Sequence, residues 1–300
     1  MRVFLTGATG YIGSAVADAL LRAGHELTVL VRHARSAPAL AARDVTAVTG
    51  DLGDPESYAA RAAGFDAYVH TAFESSPRAV DVDRMAVTTL LAAARQSTPS
   101  VFVYTSGIWV LGSTQGAATE EAALDPAPLV AFRPAHEQLV LDAHGDGLRT
   151  CVVRPGIVYG GARGIISDML TNADNGLMRV IGSGTNHWPT VYDHDLAELY
   201  ALLVSESTAS GVYHATDGSA ETVTEIAAAI AAYAQSQPDV RHVPLAEARQ
   251  KLGPFADALA LDQVVLSPRA RALGWQPSLA SVTRAVPRLF EEWRSGRSDA

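Results

Sequence analysis

The sequence predicts an α/β chain built on a Rossmann-like, doubly wound parallel sheet with a smaller C-terminal lobe. Three observations carry that prediction. The chain opens with Val3-Phe4-Leu5 followed at once by Thr6-Gly7-Ala8-Thr9-Gly10-Tyr11-Ile12-Gly13 and an Ala/Leu-rich stretch, the pattern of a buried strand, a tight glycine turn and a helix. Short apolar runs then alternate with helical stretches through the first half, as βαβ units require. Beyond residue 160 the alternation weakens, and glycine-rich segments appear at 160–164 and 182–186, which read as loops.

The strands expected in order are Val3 to Leu5, Leu27 to Val31, Val45 to Val48, Tyr68 to His70, Val101 to Tyr104 and Thr150 to Val153. Ser14 to Ala23, Pro55 to Ala63, Asp83 to Arg95 and Pro134 to Ala143 are expected as helices between most of them. In the second half, helices are expected at Asp195 to Ser205, Thr222 to Ala234, Pro244 to Leu252 and Ala280 to Arg294. Pro287 implies a kink or a late start in the last, and the polar tail from Arg294 is expected to fray. The division expected is 1–160 mainly a dinucleotide domain and 161–300 mainly a substrate lobe, interleaved with the last strands of the sheet.

With 48% hydrophobic and 18% charged residues, 300 residues can enclose a sizeable core. A net charge of −9 argues against nucleic acid and against an anionic membrane surface. One cysteine, Cys151 in the apolar run Thr150-Cys151-Val152-Val153, excludes an internal disulfide and reads as a buried small residue. No metal is expected. No apolar run reaches bilayer length, and the first strand begins where a leader would stand, so a cytoplasmic protein is expected.

The glycine turn is the strongest functional signal. Glycine lets backbone approach a ligand closely, and the helix behind it aims its N-terminal N–H groups at the turn, which suits a pyrophosphate. Gly7, Thr9, Gly10, Tyr11, Ile12 and Gly13 are therefore candidate cofactor contacts. An NAD site needs an acidic residue about 20 positions on, for the ribose 2′-hydroxyl. The second strand instead ends Val31-Arg32-His33-Ala34-Arg35-Ser36. Arg32 suits a 2′-phosphate, so NADP(H) is expected in preference to NAD(H).

The spacing Gly-x-x-Gly-x-x-Gly resembles the short-chain dehydrogenase/reductase superfamily, and more closely its extended, epimerase/dehydratase-like branch. The resemblance extends to Tyr104-Thr105-Ser106-Gly107, to Val153-Arg154-Pro155-Gly156-Ile157-Val158-Tyr159-Gly160, to Asp193-His194-Asp195-Leu196-Ala197 and to Ala272-Leu273-Gly274-Trp275-Gln276-Pro277. It implies that Asp51, beside Leu52, bonds the adenine edge, although Asp51 is equally placed to cap a helix near Pro55. It implies that Thr71 and Ala72 lie against phosphate and ribose, with Thr105 nearby, and that Pro155 and Gly156 pass beside the nicotinamide. It also leaves open a homodimer through Asp83 to Arg95 and Pro134 to Ala143.

Members of that branch carry a Ser or Thr after the fifth strand and a Tyr-x-x-x-Lys on the next helix. This chain has no Tyr-x-x-x-Lys. Alignment on Glu137-Gln138-Leu139 puts Leu129 and Arg133 at the Tyr and Lys positions. Counting back from Leu111-Gly112 puts Gly107 at the Ser position, beside Ser106. Ser106, Arg133 and His136 are the catalytic candidates. Arg133 is suited to holding ribose hydroxyls and is a poor proton shuttle, whereas His136, three residues on, can exchange a proton near neutral pH. Glu137 pairs with Arg133 on the helix surface in the plainest reading. Trp109, Tyr159, His187, Trp188 and Tyr192 are candidates to line a substrate pocket.

Three readings follow. The first is an NADP(H)-dependent oxidoreductase or epimerase-like enzyme with an atypical site, acting on a small carbonyl or hydroxyl compound. The second is a non-catalytic dinucleotide-binding sensor, and the third is a redox-neutral lyase or isomerase on the same fold. Fold alone does not choose among them.

Overall fold

In a computed structural model, which describes residues 1–36 and 40–298, the chain divides into two compact units. The first comprises 1–106, 132–154 and 196–213, and the second comprises 107–131, 155–195 and 214–300. Each unit is thus built from three segments of the chain. Residues 107–131 leave the sheet-bearing unit early, and 196–213 return to it.

The first unit holds most of a seven-stranded sheet. Its strands are β1 (Arg2–Thr6), β2 (Glu26–Val31), β3 (Thr46–Thr49), β4 (Ala67–His70), β5 (Ser100–Thr105), β6 (Leu148–Pro155) and β7 (Gly211–Ala215). Their spatial order is β7-β6-β5-β4-β1-β2-β3, and every neighbour from β6 to β3 runs parallel. The chain builds outward from β1 to β3, then returns to start β4 on β1's other side. That reversal is the topological switch point, and the carboxyl ends of β1 and β4 flank its crevice. Right-handed crossovers set out in opposite directions from it, which puts α1 (Tyr11–Arg22) and α2 (Ala79–Arg95) on opposite faces.

Burial follows from the sequence pattern. Val3, Phe4 and Leu5 are fully buried, as a strand covered on both faces demands. Helix α1 buries Val16, Ala17, Ala19 and Leu20, and α2 buries Val82, Ala86, Val87, Leu90 and Leu91. These spacings of three and four form one helical face. Helix α3 (Arg133–Asp142) buries His136, Glu137 and Val140. Cys151 is buried as expected, and its thiol donates to the Ala209 carbonyl at 3.4 Å. The helix expected at Pro55 to Ala63 is instead two short 3-10 turns, Pro55–Ser57 and Ala59–Ala62. Asp51 does not cap them: its Oδ1 accepts from the Gly53 N–H at 2.8 Å, a local turn bond that competes with capping.

The second unit packs around Tyr159, Ile166, Leu170, Trp188, Tyr192, Ile226, Ile230, Leu289 and Phe290. Its longer helices are α4 (Gly164–Asp174), α6 (Val223–Tyr233) and α7 (Val282–Ser298), with α5 (Asp193–Ser205) beginning in this unit and running into the first. Pro287 lies inside α7, which starts at Val282, so the proline delays nothing. The same helix runs on through Ser298; Arg294 onward therefore extends it rather than fraying, and Asp299 and Ala300 lie outside the described residues. The start of α7 is fixed by Glu221, whose carboxylate accepts from Ser281 Oγ at 2.6 Å and from the Val282 N–H at 2.8 Å.

Candidate functional site

The glycine turn closes on itself at the end of β1. Gly7 has φ +85° and is unstrained there, because it lacks the Cβ that disfavours this region. A Cβ there would stand 2.6 Å from the Ala72 nitrogen and from Thr71 Oγ1, and one at Gly13 would overlap the Gly7 carbonyl. Both glycines are therefore required by close approach. Thr71 ties the β4 loop to the turn through Oγ1, which donates to the Thr6 carbonyl at 2.7 Å. Helix α1 starts at Gly10 with no side-chain cap and no acidic residue in its first turn. A helix N-terminus carries partial positive charge that favours an anion.

A cleft opens beside the turn, lined by Thr6, Gly7, Thr9, Leu30, Val31, Arg32, Gly50, Asp51, Leu52, Ala72 and Glu74. Gly7, Thr9, Arg32, Asp51, Leu52 and Ala72 are among the cofactor contacts expected from the sequence; Glu74 is not. The Glu74 carboxylate accepts from Ser76 Oγ at 2.5 Å and lies 3.7 Å from Arg78. Arg32 is exposed at the mouth of the cleft.

Behind the carboxyl ends of β1, β4 and β5 lies a buried polar network that the sequence does not disclose. Thr6 Oγ1 meets His70 Nδ1 at 2.6 Å, and His70 Nε2 meets Asp83 Oδ1 at 3.3 Å. Asp83 Oδ2 also accepts from Tyr104 Oη at 2.7 Å and faces His136 Nδ1 at 2.6 Å. Arg133 Nη1 donates to Tyr104 Oη at 3.1 Å and to the Thr105 carbonyl at 2.7 Å. Hydrogen bonds to the Asp83 carboxylate require a proton on His70 Nε2 and on His136 Nδ1. Burial alone would raise the Asp83 carboxyl; hydrogen bonds from His136 and His70 and the charge of Arg133 outweigh it and hold the group below the usual carboxylate range. Burial, opposed by Arg133, pushes the Tyr104 phenol far up.

This geometry revises two expectations. His136 is 3% exposed, with Nδ1 bound to Asp83 and its ring edge-on to Phe132, so it anchors α3 against α2 rather than standing open beside Arg133 as a proton shuttle. Glu137 does not pair with Arg133. It turns inward and takes a bidentate bond from Arg154, Nε to Oε1 at 3.0 Å and Nη2 to Oε2 at 2.5 Å, an ion pair almost wholly buried. Arg133 instead sits among aromatic rings, 5.0 Å from the Phe73 centroid and 5.2 Å from that of Phe132.

Ser106 follows β5, with its N–H bonded to the Val153 carbonyl at 2.8 Å. Its hydroxyl is buried without a hydrogen-bond partner, as is Arg154 Nη1 on the neighbouring strand. Buried polar atoms rarely stay unmatched. Thr105 Oγ1 is engaged with Tyr200 Oη at 2.6 Å.

The remaining candidates belong to the second unit. Gly156 lies where a Cβ would be 2.6 Å from the Pro189 carbonyl, and its N–H bonds the Ala215 carbonyl; Pro155 precedes it at the end of β6. Three of the expected pocket residues are core. Tyr159 is fully buried with Oη toward Asp217 and the Leu279 carbonyl. Trp188 donates Nε1 to the Leu259 carbonyl at 2.9 Å. Tyr192 Oη donates to Glu292 at 2.7 Å and accepts from Arg288 at 2.8 Å. Each polar tip is satisfied inside the unit, which leaves none to greet a ligand. His187 pairs with Asp262 at 2.8 Å, and half-buried Trp109 packs edge-on to Phe255. Gly107 has extended backbone with open space around its Cβ position, and Leu129 is 41% exposed.

Residues 3–215 match the model of the NAD dependent epimerase/dehydratase family. The chain belongs to this family. A Schizosaccharomyces pombe relative, "Uncharacterized protein C2A9.02", is 31% identical over 286 residues, covering 93% of this chain and 95% of its own. Two solved structures share the fold. Human epimerase family protein SDR39U1 (isoform 2), determined with NADPH, has a TM-score of 0.77 at 23% identity, covering 97% of this chain and 99% of its own. Thermus thermophilus UDP-glucose 4-epimerase, determined with NAD, has a TM-score of 0.81 at 24% identity, covering 98% and 99%. Among the described residues no group of His, Cys, Asp or Glu is arranged to hold a metal, and no helix is long and apolar enough to cross a membrane.

Proposed function

We propose that the first unit binds a nicotinamide dinucleotide, NADP(H) in preference to NAD(H), and that the chain is an oxidoreductase or epimerase-like enzyme acting on a small carbonyl or hydroxyl compound. Family membership supports the cofactor class. The observation that carries the choice is Arg32, which lines the cleft at the end of β2 where no carboxylate stands. A guanidinium there forms charge-assisted bonds to a 2′-phosphate. The carboxylates that line the cleft elsewhere, Asp51 and Glu74, accept hydrogen bonds from the Gly53 N–H and from Ser76 Oγ.

The residues fit the cofactor. The Gly7–Gly13 backbone and the start of α1 would hold the pyrophosphate, Asp51 and Leu52 the adenine side, and Thr71 and Ala72 the phosphate and ribose. Arg133 would hold the nicotinamide ribose, with Thr105 as a further contact. When bound, the nicotinamide supplies hydride transfer. Ser106 is the side chain of this chain best suited to donate a hydrogen bond to a substrate oxygen, since its hydroxyl has no other partner. Tyr104 does not take the role of the missing tyrosine, because its hydroxyl proton is engaged by Asp83.

One observation favours a second reading. Leu129 and Gly107 offer no acid or base where the family's Tyr and Ser stand, as a non-catalytic dinucleotide sensor would allow. A titration with NADPH and NADH tests the cofactor: NADPH should bind at least about tenfold more tightly, and Arg32→Glu should erase the difference. Equal affinities in the native protein would refute the preference. Incubation with carbonyl and hydroxyl compounds separates the two readings: an oxidoreductase changes the bound nicotinamide with some of them, an epimerase-like enzyme converts the compound with no net change in nicotinamide, and a sensor does neither.

A further inference from the structure

We infer that Asp83 and Tyr104 are positioning residues that aim the Arg133 guanidinium, through a buried hydrogen-bonded line that begins at Thr6 beside the glycine turn. The inference rests on the reading of Arg133 as the contact to the nicotinamide side of a dinucleotide. The line crosses five elements: Thr6 ends β1, His70 ends β4, Asp83 lies on α2, Tyr104 is in β5 and Arg133 opens α3. None of the intermediate side chains reaches solvent; His70, Asp83 and Tyr104 are at most 4% exposed.

The donor and acceptor arithmetic makes the line directional. Tyr104 Oη has one proton, and Asp83 Oδ2 takes it at 2.7 Å. The phenol oxygen is then left as an acceptor facing Arg133 Nη1. The carboxylate that accepts the phenol proton polarises that oxygen and strengthens its hold on a cation. Thr105 supplies a second acceptor to the same Nη1, and Phe73 and Phe132, stacked on each other 5.8 Å apart, both lie against the guanidinium. One edge of Arg133 is thereby fixed, which leaves its remaining donors to meet a ligand in one orientation. Arginine keeps its charge without such help; what the line supplies is direction. His136 steadies Asp83 from α3, the helix that carries Arg133, so the carboxylate and the guanidinium it serves are clamped to one element.

Two probes separate positioning from general damage. NADPH spans the whole site, whereas adenosine 2′,5′-bisphosphate occupies only the adenosine half. Tyr104→Phe keeps the buried ring and removes the hydroxyl link, and Asp83→Asn keeps the shape and removes the charge. Each variant should weaken NADPH roughly tenfold, the scale of a lost bond to a charged group, while the bisphosphate binds as to the native protein. Arg133→Ala should show the same split, and adding Tyr104→Phe to it should change nothing further. Equal weakening of both probes, or no weakening of NADPH in Tyr104→Phe, would overturn the inference. Should the native protein bind the bisphosphate and NADPH equally well, or neither, the underlying reading of Arg133 or of the cofactor has failed instead.

Discussion

The two units use their polar residues in opposite ways. In the first, polar side chains gather behind the carboxyl ends of β1, β4 and β5, joined in one line from Thr6 to Arg133. Buried polar atoms of the same unit, Ser106 Oγ, Thr150 Oγ1 and Arg154 Nη1 among them, have no partner. In the second, the buried polar aromatics close their bonds within the core: Tyr159 on Asp217, Trp188 on the Leu259 carbonyl and Tyr192 on Glu292. A large aromatic side chain has enough apolar area to be held by burial alone, and a satisfied tip adds to that hold. An unsatisfied hydroxyl gains nothing from burial. The contrast teaches that the candidate chemistry is to be sought where polar groups remain unmatched rather than where aromatic residues are densest.

The largest effect that sharpens this contrast is expected at Trp188. It is 6% exposed in the second unit's core. Trp188→Ala should cost about 3–5 kcal/mol of stability, measured by urea unfolding. Dinucleotide affinity at a temperature where the variant stays folded should be unchanged. A large loss of affinity with intact stability would break the contrast and return Trp188 to the site.

Gly13 is the opposite case. A Cβ there overlaps the Gly7 carbonyl and comes 2.5 Å from Thr71 Oγ1. Gly13→Ala must push the turn away from the β4 loop, with an overpacking penalty of about 1–3 kcal/mol that falls on the ligand-facing backbone. Titration with NADPH should show affinity reduced by up to about 100-fold. Native-like affinity would mean that the turn is not the phosphate cradle.

The same contrast explains what can be read from residues alone. Period and punctuation are local, so the strands, the glycine turn and the amphipathic faces of α1 and α2 are visible in the sequence. The cleft is visible too, because its residues follow strand ends at fixed offsets. The line through Asp83 is not. Its members lie at 6, 70, 83, 104 and 133, and only the strand order β5-β4-β1 brings them together. Glu137 misleads for a related reason: four residues after Arg133 it suits a surface pair, but a buried Arg154 on β6 offers a bidentate partner out of water. One signal is available. Asp83 and His136 each fall on the apolar stripe of their helix, where an ionisable residue needs a partner.

The smallest effect concerns a carboxylate of the second unit that burial disfavours rather than holds. Asp193 is pushed up to about 6, chiefly by burial, with the Glu292 charge adding and His194 opposing. Unfolded, an aspartate titrates at about 3.9. The folded chain therefore binds this proton more tightly than the unfolded chain does. Its contribution to stability is full below about pH 4, is lost as pH rises through about 6 and stays lost above. Asp83 has the opposite sign: held below the carboxylate range, it stabilises the fold above about pH 4 and does so less only in stronger acid. Asp193→Asn keeps an oxygen for the His194 N–H, which Asp193 Oδ1 now accepts at 2.8 Å, and removes the proton. The gap between the folded and unfolded values is equivalent to about 3 kcal/mol, reduced to about 1–2 because the group is not fully shielded from water. Melting temperatures of variant and native protein across pH 4–8 should diverge in the variant's favour between pH 4 and 6 and run parallel above. Parallel curves throughout would place Asp193 with the satisfied groups of its unit and remove the difference in sign from Asp83.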